Sequence, residues 1–254
     1  MTSLFLFGTL LDDELREALA GLLSGRPARL AHYAVERAQS GDYPVCIRRE
    51  TRDTPGMLFE DVPPETLKIL DSYESVFGHS RSSVTVERDG EEIAADAFFP
   101  KDDLLSSGQS WDMADWQLKY APLSRRRAAL VMDELRLGTP PDEVAGKWTV
   151  LSARAQAELA AFERPGPRRV GAPNASEIED VATRTVYSQF FRVDERDIKV
   201  PSFDKPEPLE MQRVVFLSAD AVIVLPYDPV RDRVLLIEQF RIGPHARGDA
   251  DPWL

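Results

Sequence analysis

An α+β fold is predicted by three observations. Short strand-like runs fill the first hundred residues with two helices among them, a helix-rich stretch occupies 111–162, and strand-like segments resume beyond a Pro/Gly-rich break at 165–173. Residues 3–8 read as a strand, because Leu and Phe pack tightly and Gly8 ends the run. From Leu10 to Leu23, Leu11, Leu15, Ala18, Leu19 and Leu22 form an apolar helical stripe, with Gly25 and Pro27 beyond its end.

Strands are expected at 30–36, 45–49 and 55–59, separated by Gly- or Asp-containing turns. Pro63-Pro64-Glu65 marks a helix entry, since proline in the first turn gives up no needed hydrogen bond. Leu67, Leu70 and Glu74 then recur three and four residues apart, which turns Glu74 toward the packed face. Residues 82–87 alternate, Arg88-Asp-Gly90 supplies a hairpin turn, and 93–99 returns as a strand. The segment 100–110 is polar and turn-like, 111–137 is helical, and a short helix is expected near 153–162. Later strands are expected at 185–193, 210–216, 221–225 and 233–237, with Asp228-Pro-Val-Arg-Asp232 turning between the last two.

At 254 residues the chain can bury one large core or two modest ones, and 43% hydrophobic with 29% charged residues describes a globular protein. Forty-three acids against 31 bases give a net charge of -12, a field that repels nucleic acid and anionic lipid. The expected partner is a small molecule, with no nucleic acid, no membrane and a homodimer as an open possibility. No signal peptide or bilayer-length apolar run is visible, so cytoplasm is the expected location. The single cysteine, Cys46, lies between Val45 and Ile47 and reads as a core thiol. Three histidines and one cysteine never approach a metal-ligand spacing, so no zinc site is expected. His32 reads as structural, His79 as a secondary pocket residue, and Arg125-Arg-Arg127 as a solvated helix face.

Two features point to chemistry. A glycine after a strand lets the amides of Gly8, Thr9 and Leu10 converge on an anion, with a helix expected to add its positive end. A simple strand-to-helix turn explains the same residues. Glu74 is a carboxylate on an apolar face, where burial would raise its pKa toward that of a useful base. A solvated residue near the Gly78 turn is the alternative.

Phe7-Gly8-Thr9-Leu10, Leu70-Asp-Ser-Tyr-Glu74 and Ser80-Arg81-Ser-Ser-Val84 together resemble the gamma-glutamylcyclotransferase family in its AIG2-like branch. The resemblance covers approximately residues 3–120, with Phe7 standing where the family usually has tyrosine. It implies a mixed β-barrel with helices that releases 5-oxoproline from gamma-glutamyl amines or peptides. Glu74 falls on the catalytic glutamate, and Phe7, Gly8, Thr9 and Leu10 fall on the substrate loop. Tyr73 is implied as a wall and Arg81 as a basic substrate-side position. Trp111 and Trp116 resemble a segment that closes the domain in bacterial relatives. Ring closure within the substrate implies no cofactor for this domain.

Ser218–Asp228, Val234–Arg241 and Pro252-Trp-Leu254 resemble the beginning of a Nudix hydrolase of the ADP-ribose pyrophosphatase type, over roughly 184–254. That resemblance implies an α/β/α sandwich, incomplete here, with Arg213, Gln239 and Arg241 near a diphosphate or ribose. Mg2+ is implied only for a complete Nudix domain, because its carboxylate-rich metal motif does not follow Arg241. The expected organisation is therefore a cyclotransferase-like domain at 1–120, a helical extension at 121–163, a linker at 164–183 and a truncated Nudix part at 184–254, as in a fragment of a longer protein. Three readings follow: a cyclotransferase, a diphosphatase of a longer parent polypeptide, and a metabolite-binding module without turnover.

Overall fold

The structure is a computed structural model describing residues 2–39, 41–100, 106–163, 177–202, 206–247 and 251. Two compact units emerge, Met1–Ala219 and Asp220–Leu254. In the first, strands β1 (Thr2–Leu6), β2 (Gly25–Ala38), β3 (Pro44–Val62), β4 (His79–Arg88), β5 (Glu91–Pro100) and β6 (Ser106–Ser110) form one sheet. Helices α1 (Asp13–Ala20) and α2 (Pro64–Val76) interrupt them, and α3 (Met113–Lys119), α4 (Ala121–Arg136), α5 (Pro141–Gly146) and α6 (Trp148–Glu163) follow.

The strand order is β3-β1-β5-β4-β2-β6, and β2 also pairs with β3. Five strands therefore close into a barrel, with β6 attached outside the ring to β2. The expected mixed barrel is present: β1 runs parallel to β5 and antiparallel to β3. Closure reduces the edge that the ring strands expose, although the β1–β5 and β2–β4 ladders are short.

Strand β1 shows why its sequence is apolar throughout. Phe5 joins Leu30, Cys46, Leu58, Val86 and Ala97 in one core cluster, which fills the barrel. Leu4 and Leu6 point the other way, into a second cluster with Leu15, Leu19, Leu70, Val131 and Leu151 from the helices. Period-two alternation between two buried faces needs an unbroken apolar run. Each such side chain contributes about 1.5–3 kcal/mol when fully buried. Cys46 is 6% exposed and burial pushes its thiol up to about 12, as a core thiol requires.

Several elements differ from expectation for identifiable reasons. The strands expected at 45–49 and 55–59 are one 19-residue strand, β3. Its polar middle stays paired with β2 across a register shift between Ala31 and Tyr33, where His32 takes a φ of 63°. The His32 ring lies 2.9 Å from the Glu50 carbonyl, a structural role. The polar segment expected as a turn contains β6, because Ser106 donates to the buried Glu36 carboxylate on β2 and Ser107 donates to the Arg37 carbonyl. The helix expected from Leu10 begins at Asp13, after a 3-10 turn at Gly8–Leu11.

Beyond α6, the expected linker core at 165–173 lies outside the described residues. Strands β7 (Glu179–Ser188), β8 (Arg192–Val200) and β9 (Leu209–Leu217) form an antiparallel meander. The run expected as one strand at 185–193 is instead the β7–β8 hairpin. Its turn is held by the helices: Lys147 donates to the Ser188 carbonyl at 2.9 Å, and Arg154 to the Gln189 and Phe190 carbonyls at 2.8 and 3.0 Å. Lys147 also donates to the buried Glu134 at 2.8 Å.

In the second unit, β10 (Tyr227–Asp228) and β11 (Arg233–Val234) form a short hairpin, followed by α7 (Ile242–Arg247). Asp228 stabilises the turn by accepting from the Val230 and Arg231 amides at 2.9 and 3.1 Å. The strand expected at 221–225 does not form, and the one expected at 233–237 is limited to its first two residues. Their side chains find no core in this unit, Ile223 being 95% exposed. Among the described residues, no helix is long and apolar enough to cross a membrane.

Candidate active site

Where β1 leaves the barrel, the chain makes a turn that few sequences can. Gly8 has a φ of 65°, and a Cβ there would meet Pro44 Cγ at 2.7 Å. Both the backbone sign and the close approach of Pro44 favour glycine. The turn opens with the amides of Gly8, Thr9 and Leu10, and no side chain caps its N-terminal end. The expected help from a helix dipole does not materialise. The start of α1 is already occupied by Asp12, which accepts from the Leu15 amide at 2.9 Å.

Asp12 is 1% exposed and is held by two 2.8 Å hydrogen bonds from Arg125 and one of 2.9 Å from Gln117. Burial pushes its carboxyl up, but these donors and the Leu15 amide outweigh it and hold the pKa down to about 2. Arg125 therefore faces α1 and is not part of a solvated face. It fixes the segment that follows the Gly8 turn.

This turn borders a cavity of 740 Å3. Phe7, Thr9 and Leu10 form one part of its lining, Pro44 and Asp42 another, and Tyr73, Glu74, Phe77 and His79 a third. Gly8 shapes the turn without lining the space. Glu74 sits near the end of α2 with its side chain 12% exposed. Burial alone pushes its pKa up to about 8. The Nδ1 of His79 is 3.5 Å from Glu74 Oε2, and this atom makes no hydrogen bond. Burial holds His79 below its ordinary value, so the ring is neutral around pH 7. Near pH 7 the pair is thus a largely protonated carboxyl beside a neutral imidazole in a mostly apolar, half-open cavity.

Tyr73 serves as a wall: it is 8% exposed and packs edge-on against Phe77 at 5.1 Å. Arg81 stands apart from the cavity lining. It ties α2 to the β4–β5 hairpin through Asp71 at 2.5 and 2.9 Å and Asp96 at 3.1 Å. Trp116 is 3% exposed and lines the cavity, with Trp111 tilted against it at 6.3 Å.

Residues 4–118 match the family model described as Gamma-glutamyl cyclotransferase, AIG2-like. They form an AIG2-like domain. Similar solved structures include an AIG2-like protein from Mus musculus, at 17% identity and TM-score 0.36, covering 44% of this chain and 88% of that one. YkqA from Bacillus subtilis is 16% identical with TM-score 0.33, covering 86% of this chain and 68% of its own. Among curated proteins, ADP-ribose pyrophosphatase of Escherichia coli K12 is 37% identical over 79 residues, 31% of this chain and 37% of that protein. The enzyme of the same name from Haemophilus influenzae is 32% identical over 80 residues. The chain spans little more than a third of the length of these curated relatives.

The AIG2-like domain does not enclose the cavity by itself. Tyr120, Leu123, Ser124, Arg127, Ala145 and Trp148 complete the lining from α4, α5 and their flanks, beyond residue 118. Sequence reasoning missed this wall. A signal was available: Leu123, Arg127 and Val131 are four residues apart, and Val131 is wholly buried. Arg127 thus lies on the packed side of α4, although its two basic neighbours suggested a solvated face.

The residues expected from the Nudix resemblance are distributed over both units. Arg213 lies on β9 and donates to the Gln212 carbonyl at 2.9 Å. Gln239 and Arg241 belong to the second unit, where both are exposed.

Proposed function

We propose that the AIG2-like domain and its helical extension release 5-oxoproline from gamma-glutamyl amines or peptides. The observation that carries this reading is Glu74, a buried carboxyl with a pKa of about 8 facing a half-open cavity that the Gly8–Leu10 turn borders. The substrate's α-carboxylate would rest on the amides of that turn, with Thr9 orienting it. Near pH 7 the free protein holds Glu74 largely protonated. An α-ammonium arriving beside it favours the ionised form, so binding readies the base.

Glu74 then takes a proton from the ammonium, and the freed amine attacks the γ-carbonyl carbon. The new C–N bond closes a five-membered ring, and the old γ-carbon–nitrogen bond breaks as Glu74 returns the proton to the departing nitrogen. That nitrogen also takes up the second proton shed by the ring nitrogen and leaves as an ammonium. Attack within one molecule needs positioning above all, which the walls of the cavity would provide. Phe7 and Tyr73 line the cavity as walls, and in this scheme Glu74 carries the proton without a phenol at position 7. Mass-spectrometric detection of 5-oxoproline from a panel of gamma-glutamyl compounds tests the reading. Turnover should fall by at least about a hundredfold in Glu74→Gln. An undiminished rate in that variant would refute Glu74 as the base, and absence of 5-oxoproline from the whole panel would favour a binding module.

A second reading is favoured by the 37% identity to the Escherichia coli ADP-ribose pyrophosphatase over 79 residues. Under it, Arg213, Gln239 and Arg241 contribute to holding a diphosphate or ribose. The magnesium that complete Nudix domains use does not fit the residues present. Among the described residues, no group of three or more His, Cys, Asp or Glu stands where it could hold a metal ion. This chain should therefore not hydrolyse ADP-ribose when Mg2+ is supplied, and robust magnesium-dependent turnover would overturn that expectation.

A further inference from the structure

Three consecutive arginines on α4 have three different surroundings. Arg125 is paired with Asp12 and Glu14, and Arg126 with Glu158. Arg127 has no carboxylate partner and no hydrogen-bond acceptor among the described residues. Its Nε is buried without a partner, and its guanidinium carbon lies 5.1 Å from the centre of the Trp148 ring. Stacking on an indole fixes the plane of a guanidinium while leaving its in-plane N–H donors available. In a protein with 43 acids to 31 bases, a half-buried arginine without an acidic partner is a costly arrangement.

Arg127 and Trp148 both line the cavity that contains Glu74. The other side chains there that can carry charge are Asp42, already paired with Arg37, and His79, held neutral by burial. Burial pushes Glu74 up and Arg127 down. Asp42 and His79 apart, the cavity lining thus holds one carboxyl and one cation, and Trp148, which carries Arg127, meets Phe77 edge-on at 5.4 Å. The cavity's 740 Å3 accommodates a ligand longer than a glutamyl group.

We infer that Arg127, stacked on Trp148, is a specificity subsite for an anionic group on the departing amine, the carboxylate of a gamma-glutamyl amino acid or peptide. This assignment rests on the cyclotransferase reading for which end of the substrate faces Glu74. It makes gamma-glutamyl amino acids preferred over neutral gamma-glutamyl amines. It also places the selection for them in the helical extension, outside residues 4–118.

Gamma-glutamylglycine and gamma-glutamylglycinamide differ only in that carboxylate and make the decisive pair. The wild-type protein should favour gamma-glutamylglycine in kcat/KM by about tenfold to a hundredfold, the worth of a charge-assisted hydrogen bond. Arg127→Met should reduce that ratio to about one, mainly through KM, and Arg127→Lys should give an intermediate ratio. A ratio that is the same in wild type and Arg127→Met overturns the subsite. Calorimetric binding of both compounds to Glu74→Gln and to Glu74→Gln/Arg127→Met separates this from the catalytic reading. A carboxylate preference in binding that vanishes with Arg127, where the wild-type protein releases no 5-oxoproline, keeps the subsite and rejects the cyclotransferase. No preference in binding rejects the subsite whatever the turnover. Thermal melts of each variant identify any loss of ratio that comes from unfolding, and Arg127→Lys then decides.

Discussion

Glu74 and His79 face each other at 3.5 Å without sharing a hydrogen bond, and burial drives both toward their neutral forms. The carboxyl is pushed up and the imidazole down, so the free cavity holds little charge at its reacting end. In the proposed reaction, a substrate ammonium would supply the charge that ionises Glu74.

That arrangement sets a pH dependence. The rising limb of kcat/KM, which reports the free protein, should have its midpoint near 8. The limb of kcat should lie lower, because bound ammonium favours the carboxylate. Replacing His79 with Ala opens the site to water and should move the kcat/KM midpoint toward that of an ordinary glutamate. A pH–rate series on both proteins checks it, and a midpoint unmoved by His79→Ala would show that the imidazole does not shield Glu74.

Glu74 also links stability to pH. Its folded pKa is above its unfolded value of 4.5, so the folded state binds the extra proton between pH 4.5 and about 8. The stability this provides is complete below pH 4.5 and is lost as pH rises through 8. Glu74→Gln does not ionise and should gain over wild type as pH rises. Its Tm advantage should grow by about 5 °C or more between pH 5 and 8.5. Paired thermal melts across that range measure it.

The Asp12–Arg125 pair carries an opposite linkage and a large structural role. Arg125→Met leaves a buried carboxylate without its main donor and should cost about 3 kcal/mol. Asp12→Asn/Arg125→Met should cost less than the sum of the single changes, because neither variant group is charged. Urea unfolding of the cycle checks both. The wild-type pair keeps its contribution above pH 3.8 and loses it as pH falls toward 2.

At Gly8, alanine would have to accept a φ of 65° and displace Pro44. Gly8→Ala should cost about 2 kcal/mol and disturb the adjacent amides. Its KM for any gamma-glutamyl substrate should rise more than its kcat falls. Denaturant unfolding with steady-state kinetics checks this.

Removing Lys147 should loosen the β7–β8 turn. Lys147→Met deletes the donor shared by Glu134 and the Ser188 carbonyl and leaves a carboxylate that is 2% exposed. Hydrogen exchange at 187–192 should accelerate, with a loss of about 3 kcal/mol in unfolding free energy.

Local pattern made part of this protein legible. The barrel strands announced themselves by alternation and the Arg88–Gly90 turn, and α2 by its two prolines and its Leu67–Leu70–Glu74 spacing. The same spacing turned Glu74 inward. What escaped was decided by distant partners. The strand β6 exists because Ser106 meets Glu36 seventy residues earlier, and α1 starts late because Asp12 caps it and meets Arg125. Arg127 was obscured by its charged neighbours, although its spacing from Leu123 and Val131 carried the information. Residues 221–225 illustrate the reverse case: strand-forming composition without a partner in its unit leaves no strand.

The parallel pairing of Leu4 with Asp96 has a kinetic consequence. Strand β1, which precedes the other barrel strands, cannot complete its ladder until nearly a hundred residues have followed it. During translation its alternating Leu and Phe faces have neither the barrel nor the helices to cover them. Closure of the ring is a long-range step, slow by the entropy of joining distant segments. Substitutions in β1 should therefore act on the yield of folded chain and on refolding rate, as well as on the stability of molecules already folded.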